Sequence, residues 1–277
     1  MEHRNRAQGW KHAKLSGHKN EELVRNLLDR DERYAADFLD RLGDAGPITA
    51  TTVGGLHETN VESILGGRKT KSKTDLKIFL KNGENINISI KKSLGGQVYF
   101  VRAGLFIATF QKQFGQEIPA PVQRAIKLFW AAADDASDII RRYAAKDKNY
   151  DLQIRHRSLN ADTLRAYDPD LYEDLLLWFQ KNAGKIAMLC FAMGAVKSQA
   201  EWSDFIWYIN LLDENDVDAL FSIEELCAAT QQFAQRDTFY GLTNGGTTIQ
   251  LPFGFVQWHQ SQMQFHHSYD KISNMLG

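Results

Sequence analysis

A two-strand pattern between residues 75 and 91 constrains the fold of this chain more than any other segment. Apolar residues alternate with other side chains at Leu76, Ile78, Leu80, Ile86, Ile88 and Ile90. The residues between the two halves include Asn82-Gly83, and Asn-Gly favours a tight hairpin turn. The sequence therefore predicts a hairpin of two strands, over 75–80 and 86–91.

The two ends of this hairpin bring chemically useful side chains together. In an antiparallel pair, the start of the first strand lies beside the end of the second. Asp75 and Lys91 can therefore converge, and Ser89 shares a face with Lys91 because strand side chains alternate. A carboxylate beside a lysine can hold a divalent metal ion and orient or help deprotonate a water that attacks phosphate. A plain salt bridge between strands fits the same spacing, so both interpretations stay open.

Charge is unevenly distributed along the 277 residues. The formal net charge is -1, which argues against a protein that coats nucleic acid without specificity. Residues 67–92 nevertheless contain eight basic and two acidic residues, so this segment carries +6 and the rest of the chain -7. The cluster is either a solvated surface or an electrostatic footprint for phosphate. Its candidate DNA contacts are Lys69, Lys71, Lys73 and Lys92.

The segment over 238–269 has the opposite character, since it contains no Asp, Glu, Lys or Arg. It is rich in neutral side chains that both donate and accept hydrogen bonds, and these suit recognition of base edges. A β-hairpin with outward polar residues is the alternative. The candidate base contacts are Asn244, Thr247, Thr248, Gln250, Gln257, His259, Gln264 and His266.

The hydrophobic periodicity predicts a mixed α/β (α+β) chain in one compact unit over 1–277. Helices are predicted over 20–42, 60–65, 97–114, 122–142, 169–196 and 222–233. Besides the hairpin, strands are predicted over 205–210, 247–251 and 253–259.

Several short blocks together resemble one enzyme family. Lys73-Thr74-Asp75 followed by Asn87-Ile88-Ser89-Ile90-Lys91-Lys92-Ser93 resembles the motif of the PD-(D/E)XK nucleases. Together with Gly66-Gly67 and the basic loop before it, this segment is similar to type II restriction endonucleases, in particular the small four-base cutters. Further blocks similar to that group are Gly17-His18-Lys19-Asn20-Glu21, Ala200-Glu201-Trp202 and Gln262-Met263-Gln264-Phe265. The resemblance implies a restriction-endonuclease-like fold, with a central mixed β-sheet flanked by helices.

The resemblance also implies roles for individual residues. Asp75 would bind the metal, Lys91 would be the catalytic lysine, and Glu21 would be an acid near the metal or its water, with Glu22 as the neighbouring alternative. Ser89 departs from the family pattern, which has Asp or Glu there, although some members carry Ser, Asn or Gln. The next acidic residue after Lys91 is Glu117. Glu21, Glu62, Glu117 or a water bound to Ser89 would therefore complete the shell of one or two Mg²⁺ ions.

The implied function is that of a type II restriction endonuclease. Such an enzyme hydrolyses phosphodiester bonds in double-stranded DNA at a short specific sequence, leaving a 5′-phosphate and a 3′-hydroxyl. Ser93 and Gln97 would approach the DNA. A catalytic core over about 15–120 and a recognition part over about 121–277 are expected, with a monomer or homodimer as the active form and a cognate DNA methyltransferase as genetic partner. The alternatives are a repair or junction-resolving nuclease of the same superfamily, a DNA-binding protein without catalysis, or a structural protein with a basic patch.

The chain shows no sign of secretion or membrane insertion. Its first residues are polar and basic without an apolar stretch, and its longest mostly apolar segment, 186–196, is too short to span a bilayer. Two cysteines are too few for a disulfide framework. We therefore expect a cytoplasmic protein without membrane partners.

Overall fold

The computed structural model describes residues 6–43, 46–53, 60–67, 69–144, 159–212, 217–243 and 246–277. The helices are α1 (Arg6–Arg30), α2 (Glu32–Arg41), α3 (Ala103–Phe114), α4 (Ala120–Phe129), α5 (Ala136–Ala144), α6 (Ala161–Tyr167), α7 (Pro169–Lys181), α8 (Ala183–Met188), α9 (Ile223–Asp237) and α10 (Tyr269–Leu276). The strands are β1 (Ile48–Val53), β2 (Asn60–Glu62), β3 (Lys69–Lys71), β4 (Leu76–Leu80), β5 (Asn85–Lys91), β6 (Gly95–Arg102), β7 (Phe205–Ile209), β8 (Asp218–Ser222), β9 (Tyr240–Thr243), β10 (Gly246–Leu251), β11 (Gly254–His259) and β12 (Gln262–Ser268).

Two compact units share these elements. The first comprises Met1–Leu94 and Phe191–Ile223, and the second comprises Gly95–Cys190 and Glu224–Gly277. The expected boundary between a catalytic and a recognition part near residue 120, within one nuclease unit, stays a prediction.

The first unit contains a central mixed sheet. Its strand order is β1-β4-β5-β7-β8, with β5 and β7 parallel and the other neighbours antiparallel. The helices of the unit, α1 and α2, contribute to the same hydrophobic core as this sheet. The predicted fold class, mixed α+β with a central mixed sheet and flanking helices, is confirmed.

The predicted hairpin is present as β4 and β5, which pair antiparallel from Leu76 opposite Ile88 to Phe79 opposite Asn85. The turn follows from two of its residues. Gly83 has φ of 88°, which costs a glycine little, and the Asn82 side chain accepts a hydrogen bond from the Glu84 N–H at 3.0 Å.

One face of the hairpin forms the core of the first unit. Leu76, Ile78 and Ile88 are fully buried there and pack in one cluster with residues of both helices. Phe38 of α2 lies with its ring centroid 4.6 Å from that of Trp207 in β7. Each large apolar side chain buried in this way contributes about 1.5–3 kcal/mol, which holds α1 and α2 against the sheet.

The second unit contains an antiparallel sheet with the order β6-β12-β11-β10-β9. Phe106 of α3 packs against Phe265 of β12 with ring centroids 5.6 Å apart, and Phe110 packs edge-on against Trp178 of α7 at 4.9 Å. These aromatic contacts cover one face of the sheet. The opposite face of β11 and β12 carries half-buried polar side chains.

Two predicted helices are wrong because part of each segment pairs as a strand, in one case with a neighbouring strand and in the other with a distant one. Within 60–65 the chain forms strand β2, which pairs with β3 after a turn in which Gly66 and Gly67 have φ of 76° and 64°. The first part of 97–114 is strand β6, which pairs with β12, and the helix begins only at Ala103. The β6 pattern of buried Tyr99 and Val101 between exposed residues is that of a strand.

Three predicted helices are interrupted. The helix over 20–42 is divided at Asp31, whose side chain caps α2 by accepting a hydrogen bond from the Tyr34 N–H. The helix over 122–142 is divided between α4 and α5, where Ala131 has φ of 50°. The helix over 169–196 consists of α7, α8 and a π-helical turn over Leu189–Met193. The helix over 222–233 and the strands over 205–210, 247–251 and 253–259 are confirmed as α9, β7, β10 and β11. Strands β1, β3, β8, β9 and β12 were not predicted, and β3 lies in the segment expected to be a basic loop.

Among the helices that the structure describes, none combines the length and the apolar character needed to cross a membrane.

Candidate active site

Asp75, Ser89 and Lys91 converge at one end of the β4–β5 hairpin. The Asp75 N–H donates to the Ile88 carbonyl at 2.8 Å, which fixes Asp75 just before β4. Its Oδ2 accepts hydrogen bonds from the Ile90 N–H at 2.8 Å and from Ser89 Oγ at 3.2 Å. Lys91 Nζ lies 3.8 Å from the same oxygen and donates to Ser89 Oγ at 2.6 Å. The spacing predicted from the sequence therefore produces a contiguous polar cluster.

The two oxygens of Asp75 have different surroundings. Oδ2 is held by the hydrogen bonds from β5, whereas Oδ1 accepts none from the residues that the structure describes. The Asp75 side chain is 28% exposed and Ser89 is 2% exposed. The carboxylate is thus held rigidly through one oxygen, and the other oxygen can accept a ligand from solvent.

The loop before β7 covers the neighbouring part of the polar face of β5. Asn87 is buried, and its Nδ2 donates to the carbonyls of Ala200 and Trp202 at 3.0 and 2.7 Å. Asp204 Oδ2 accepts from the Asn87 N–H at 2.8 Å, and burial raises the pKa of Asp204. The Ala200-Glu201-Trp202 block is therefore a structural support for β5.

Helix α1 is fixed against the end of β7 by one buried side chain. Asn20 is completely buried. Its Nδ2 donates to the Ile209 carbonyl at 2.9 Å, and its Oδ1 accepts from the Leu211 N–H at 2.7 Å. Lys92, directly after β5, donates to Ser16 Oγ of the same helix at 3.0 Å. These contacts set the rotation of α1 and hence the position of Glu21.

Glu21 lies within electrostatic reach of the hairpin cluster. Its side chain is 13% exposed, and burial followed by the negative charge of Asp75 raises its pKa. The hydrogen bond with His18 and the charge of Lys91 lower the pKa of Glu21. The neighbouring Glu22 is exposed to solvent. Of the two acids, Glu21 is therefore the one that the fold brings near Asp75.

The other acids considered from the sequence have partners of their own. Glu62 in β2 forms an ion pair with Lys197 at 2.7 Å, and Glu117, in the second unit, accepts a hydrogen bond from Gln111. In the part of the chain that the structure describes, no three His, Cys, Asp or Glu residues are grouped to hold a metal ion. Of the acids considered from the sequence, Asp75 and Glu21 are thus the two that could hold a metal ion at the hairpin cluster.

The basic residues around the hairpin differ in their exposure to solvent. Lys69 and Lys71 are exposed on β3, and Ser93 is exposed directly after the Lys91-Lys92 pair. Lys73 is half-buried, with its Cε 3.1 Å from where a Cβ on Gly194 would lie. Arg68 lies outside the described residues. Lys69 and Lys71 thus present the surface charge that the sequence led us to expect.

Four predicted DNA contacts form a hydrogen-bonded row on the polar face of the second sheet. Gln264 donates to Gln97 Oε1 at 2.7 Å, and Gln257 donates to Gln264 Oε1 at 2.9 Å. Gln257 Nε2 also lies 3.2 Å from His266 Nε2. Burial and His259 lower the pKa of His266, whose ring stacks on Phe255 at 4.6 Å. We call Gln97, Gln257, Gln264 and His266 the amide row.

Of the remaining predicted base contacts, two are buried and two are half-buried. Thr247 and Thr248 are buried, and Gln250 donates to Thr248 Oγ1 at 2.8 Å while its Oε1 accepts from Lys271 at 3.2 Å. His259 packs edge-on against Phe100 at 5.7 Å. Asn244 lies outside the described residues. The amide row therefore holds the predicted DNA contacts that are linked to one another on one face of the sheet.

The sequence pattern did not single out His18, which contacts Glu21, or Asn20, which ties α1 to the end of β7. Both belong to the Gly17-His18-Lys19-Asn20-Glu21 block. The spacing of three between His18 and Glu21 puts them on one side of a helix and was the available signal. The partners of Asn20 lie in a distant part of the sequence, so local pattern gave no indication of its role.

Comparison with known proteins gives a structural likeness for this chain. No protein-family model and no curated protein sequence matches it. Among solved structures, it is similar to restriction endonuclease MspI in complex with its cognate DNA, with 11% sequence identity and a TM-score of 0.45. The likeness covers 87% of this chain and 79% of that one. At this identity and TM-score it defines neither the fold nor the activity of the present chain.

Proposed function

We propose that this chain is a type II restriction endonuclease, which hydrolyses phosphodiester bonds of double-stranded DNA at a short specific sequence. The observation that carries the proposal is the hydrogen-bonded cluster of Asp75, Ser89 and Lys91. The charges of Asp75 and Lys91 also act on the pKa of the partly buried Glu21 of α1. A carboxylate and a lysine in one cluster, with a second carboxylate within electrostatic range, suit metal-assisted attack of water on phosphorus.

The donor set fits Mg²⁺. This ion prefers oxygen ligands and keeps several waters, so it is commonly bound by one or two carboxylates together with substrate phosphate. Asp75 Oδ1 accepts no hydrogen bond from the described residues, and two acids whose charges repel one another favour an intervening cation. We propose that Asp75 and Glu21 hold one ion. A second ion would require further ligands from DNA or water.

Each residue has a definite task in this proposal. When bound, Mg²⁺ would neutralise phosphate charge and lower the pKa of a water. Lys91, held by Ser89, would orient that water or help remove its proton, and its charge would offset the charge that develops on the phosphate. Ser89 stands where a third carboxylate would otherwise lie, and it anchors both Asp75 and Lys91. The bond from phosphorus to the 3′ oxygen would break.

DNA contacts follow from charge and hydrogen-bonding capacity. Lys69 and Lys71, with Lys73, Lys92 and Ser93, are proposed to contact phosphates. The amide row is proposed to read base edges, because each primary amide offers both a donor and an acceptor. A monomer or homodimer in the cytoplasm and a cognate methyltransferase that protects host DNA are parts of the same proposal.

One observation favours a second candidate, a DNA-binding protein without catalysis. Ser89 replaces an acid, and the described residues near the site supply only two carboxylates. Such a protein would bind DNA through the same basic and amide surfaces and leave it intact.

Incubation of the purified protein with unmethylated phage DNA and Mg²⁺ tests the proposal. We expect discrete fragments that disappear with EDTA and in the Asp75→Ala and Lys91→Ala variants. Lys81→Ala is the matched control, because Lys81 is an exposed lysine in the turn of the same hairpin. Binding without cutting would favour the second candidate, and cutting of branched or damaged DNA alone would favour a repair nuclease.

A further inference from the structure

His18 contacts the carboxylate of Glu21 from the preceding turn of α1. Its Nδ1 lies 3.3 Å from Glu21 Oε2, and both side chains are 13% exposed. Its Nε2 is buried and has no hydrogen-bond partner within the described part of the chain. His18 is thus a nearly buried ring whose hydrogen bond is directed at one oxygen of Glu21.

The direction of this hydrogen bond follows from the chemistry of the two groups. An ionised carboxylate only accepts hydrogen bonds, so Nδ1 carries the hydrogen. In the neutral ring, the buried Nε2 then presents a lone pair. Among the residues that the structure describes, His18 supplies the hydrogen bond to Glu21, and it occupies Oε2 while Oε1 receives none.

We propose that His18 is a positioning residue that holds Glu21 in the orientation in which its carboxylate binds the divalent cation. The inference rests on the proposed function, because it takes Glu21 as a metal ligand. Hydrogen-bond partners of metal ligands orient those ligands, and their loss typically lowers metal affinity or activity by about 10–100-fold.

Two substitutions separate the hydrogen bond from the bulk of the ring. The side-chain amide of Asn reaches about as far as Nδ1, so His18→Asn keeps a donor for Glu21. The amide of Gln extends to about the distance of Nε2, so His18→Gln loses that donor. We expect His18→Gln to weaken Mn²⁺ binding, measured by calorimetry on the whole chain, by about 10–100-fold, and His18→Asn to stay near wild type. Lys19→Ala, an exposed neighbour on the same helix, is the control.

A double-mutant cycle distinguishes positioning from general support of the fold. In a Glu21→Gln background, His18→Gln should not weaken Mn²⁺ binding further, because its effect passes through the Glu21 carboxylate. Independent, additive losses would contradict the proposal, as would an unchanged affinity in His18→Gln. Thermal unfolding without metal verifies that each variant folds, and His18→Leu replaces His18→Gln if the latter does not.

The outcomes also separate this inference from the proposed nuclease. If the wild type binds Mn²⁺ in a His18-dependent way but cuts no DNA, His18 keeps its role and the nuclease proposal fails. If the wild type cuts DNA and His18→Gln has the same Mg²⁺ requirement, the role of His18 fails alone. A folded wild type that neither binds Mn²⁺ nor cuts DNA overturns both.

Discussion

Lys91 Nζ lies 3.8 Å from Asp75 Oδ2, and both groups hydrogen-bond to the Oγ atom of Ser89 between them. This triangle joins the start of β4 to the end of β5. Ser89 therefore links the two charged residues of the candidate site, although its hydroxyl is uncharged and nearly inaccessible to solvent.

The triangle predicts that removal of either charged member abolishes cleavage without unfolding the protein. For Lys91→Ala we expect a loss on the order of 10²–10⁴-fold in the cleavage rate, the range typical of a missing proton-transfer group. Asp75→Asn should lose activity together with metal binding. Single-turnover cleavage measures the loss of activity, and calorimetry with Mn²⁺ measures the loss of metal binding. An effect of similar size in the turn variant Lys81→Ala would show that the loss is not specific to the site.

The hairpin was predictable from the sequence because its information is local. Alternating apolar residues and an Asn-Gly turn fix its register, and that register alone brings Asp75 and Lys91 together. Strand β6 shows the limit of this reasoning. Tyr99 and Val101 alternate with more exposed residues as in a strand, but helix α3 follows them directly, so the local pattern favoured a helix. The strand that pairs with β6, β12, lies near the other end of the chain.

Glu21 illustrates a different limit. Its helix was predicted, yet its proximity to Asp75 depends on the Asn20 side chain binding backbone groups after β7. Such a contact has no period or motif that a sequence pattern can detect. Resemblance to a nuclease family, and not spacing, suggested Glu21 as a site residue.

Substitution of Glu21 should stabilise the metal-free protein at neutral pH. Burial and the charge of Asp75 raise the folded-state pKa of Glu21 above its usual value of about 4.5. Between the usual pKa and the raised pKa of Glu21, the folded protein binds more protons than the unfolded chain. The free energy of unfolding therefore falls as the pH rises through this range. Glu21→Gln removes this cost, and its unfolding temperature at pH 7 in EDTA should exceed that of wild type. The difference in unfolding temperature between Glu21→Gln and wild type should narrow as the pH falls toward 4.5. A lower unfolding temperature at pH 7 would contradict the argument.

Addition of Mg²⁺ should raise the unfolding temperature of wild type above that of Glu21→Gln. A ligand that binds only the folded state at 100 times its Kd stabilises it by about 2.7 kcal/mol, or roughly 5–10 °C in unfolding temperature for a chain of this size. We expect such a rise in wild type and in the exposed-acid control Glu22→Gln, but not in Glu21→Gln or Asp75→Asn.

With one ion per site, the Mg²⁺ dependence of cleavage should have a Hill slope near one. A slope near two would favour two ions.

Loss of Asn20 should destabilise the protein and reduce cleavage together. Asn20→Leu leaves the buried Ile209 carbonyl without its partner, which costs about 1–3 kcal/mol, and also removes the acceptor of the more exposed Leu211 N–H. Urea unfolding measures the free-energy change. Cleavage should fall even under conditions in which the variant is fully folded, because α1 would no longer be fixed against the sheet. Lys19→Ala, next to it and exposed, should leave both quantities unchanged.

The two classes of proposed DNA contact should differ in their response to salt and sequence. Replacing an exposed lysine that binds phosphate, Lys69→Ala or Lys71→Ala, should weaken all DNA sequences equally and reduce the slope of log affinity against log salt by about one. Gln257→Leu removes the amide that donates to Gln264 and faces His266. That variant should keep the wild-type salt slope but lose about 1–3 kcal/mol of discrimination at one base pair. Binding titrations at several salt concentrations, on the cleaved sequence and its single-base variants, measure both. A uniform loss of affinity in Gln257→Leu would assign the amide row a structural role instead of base readout.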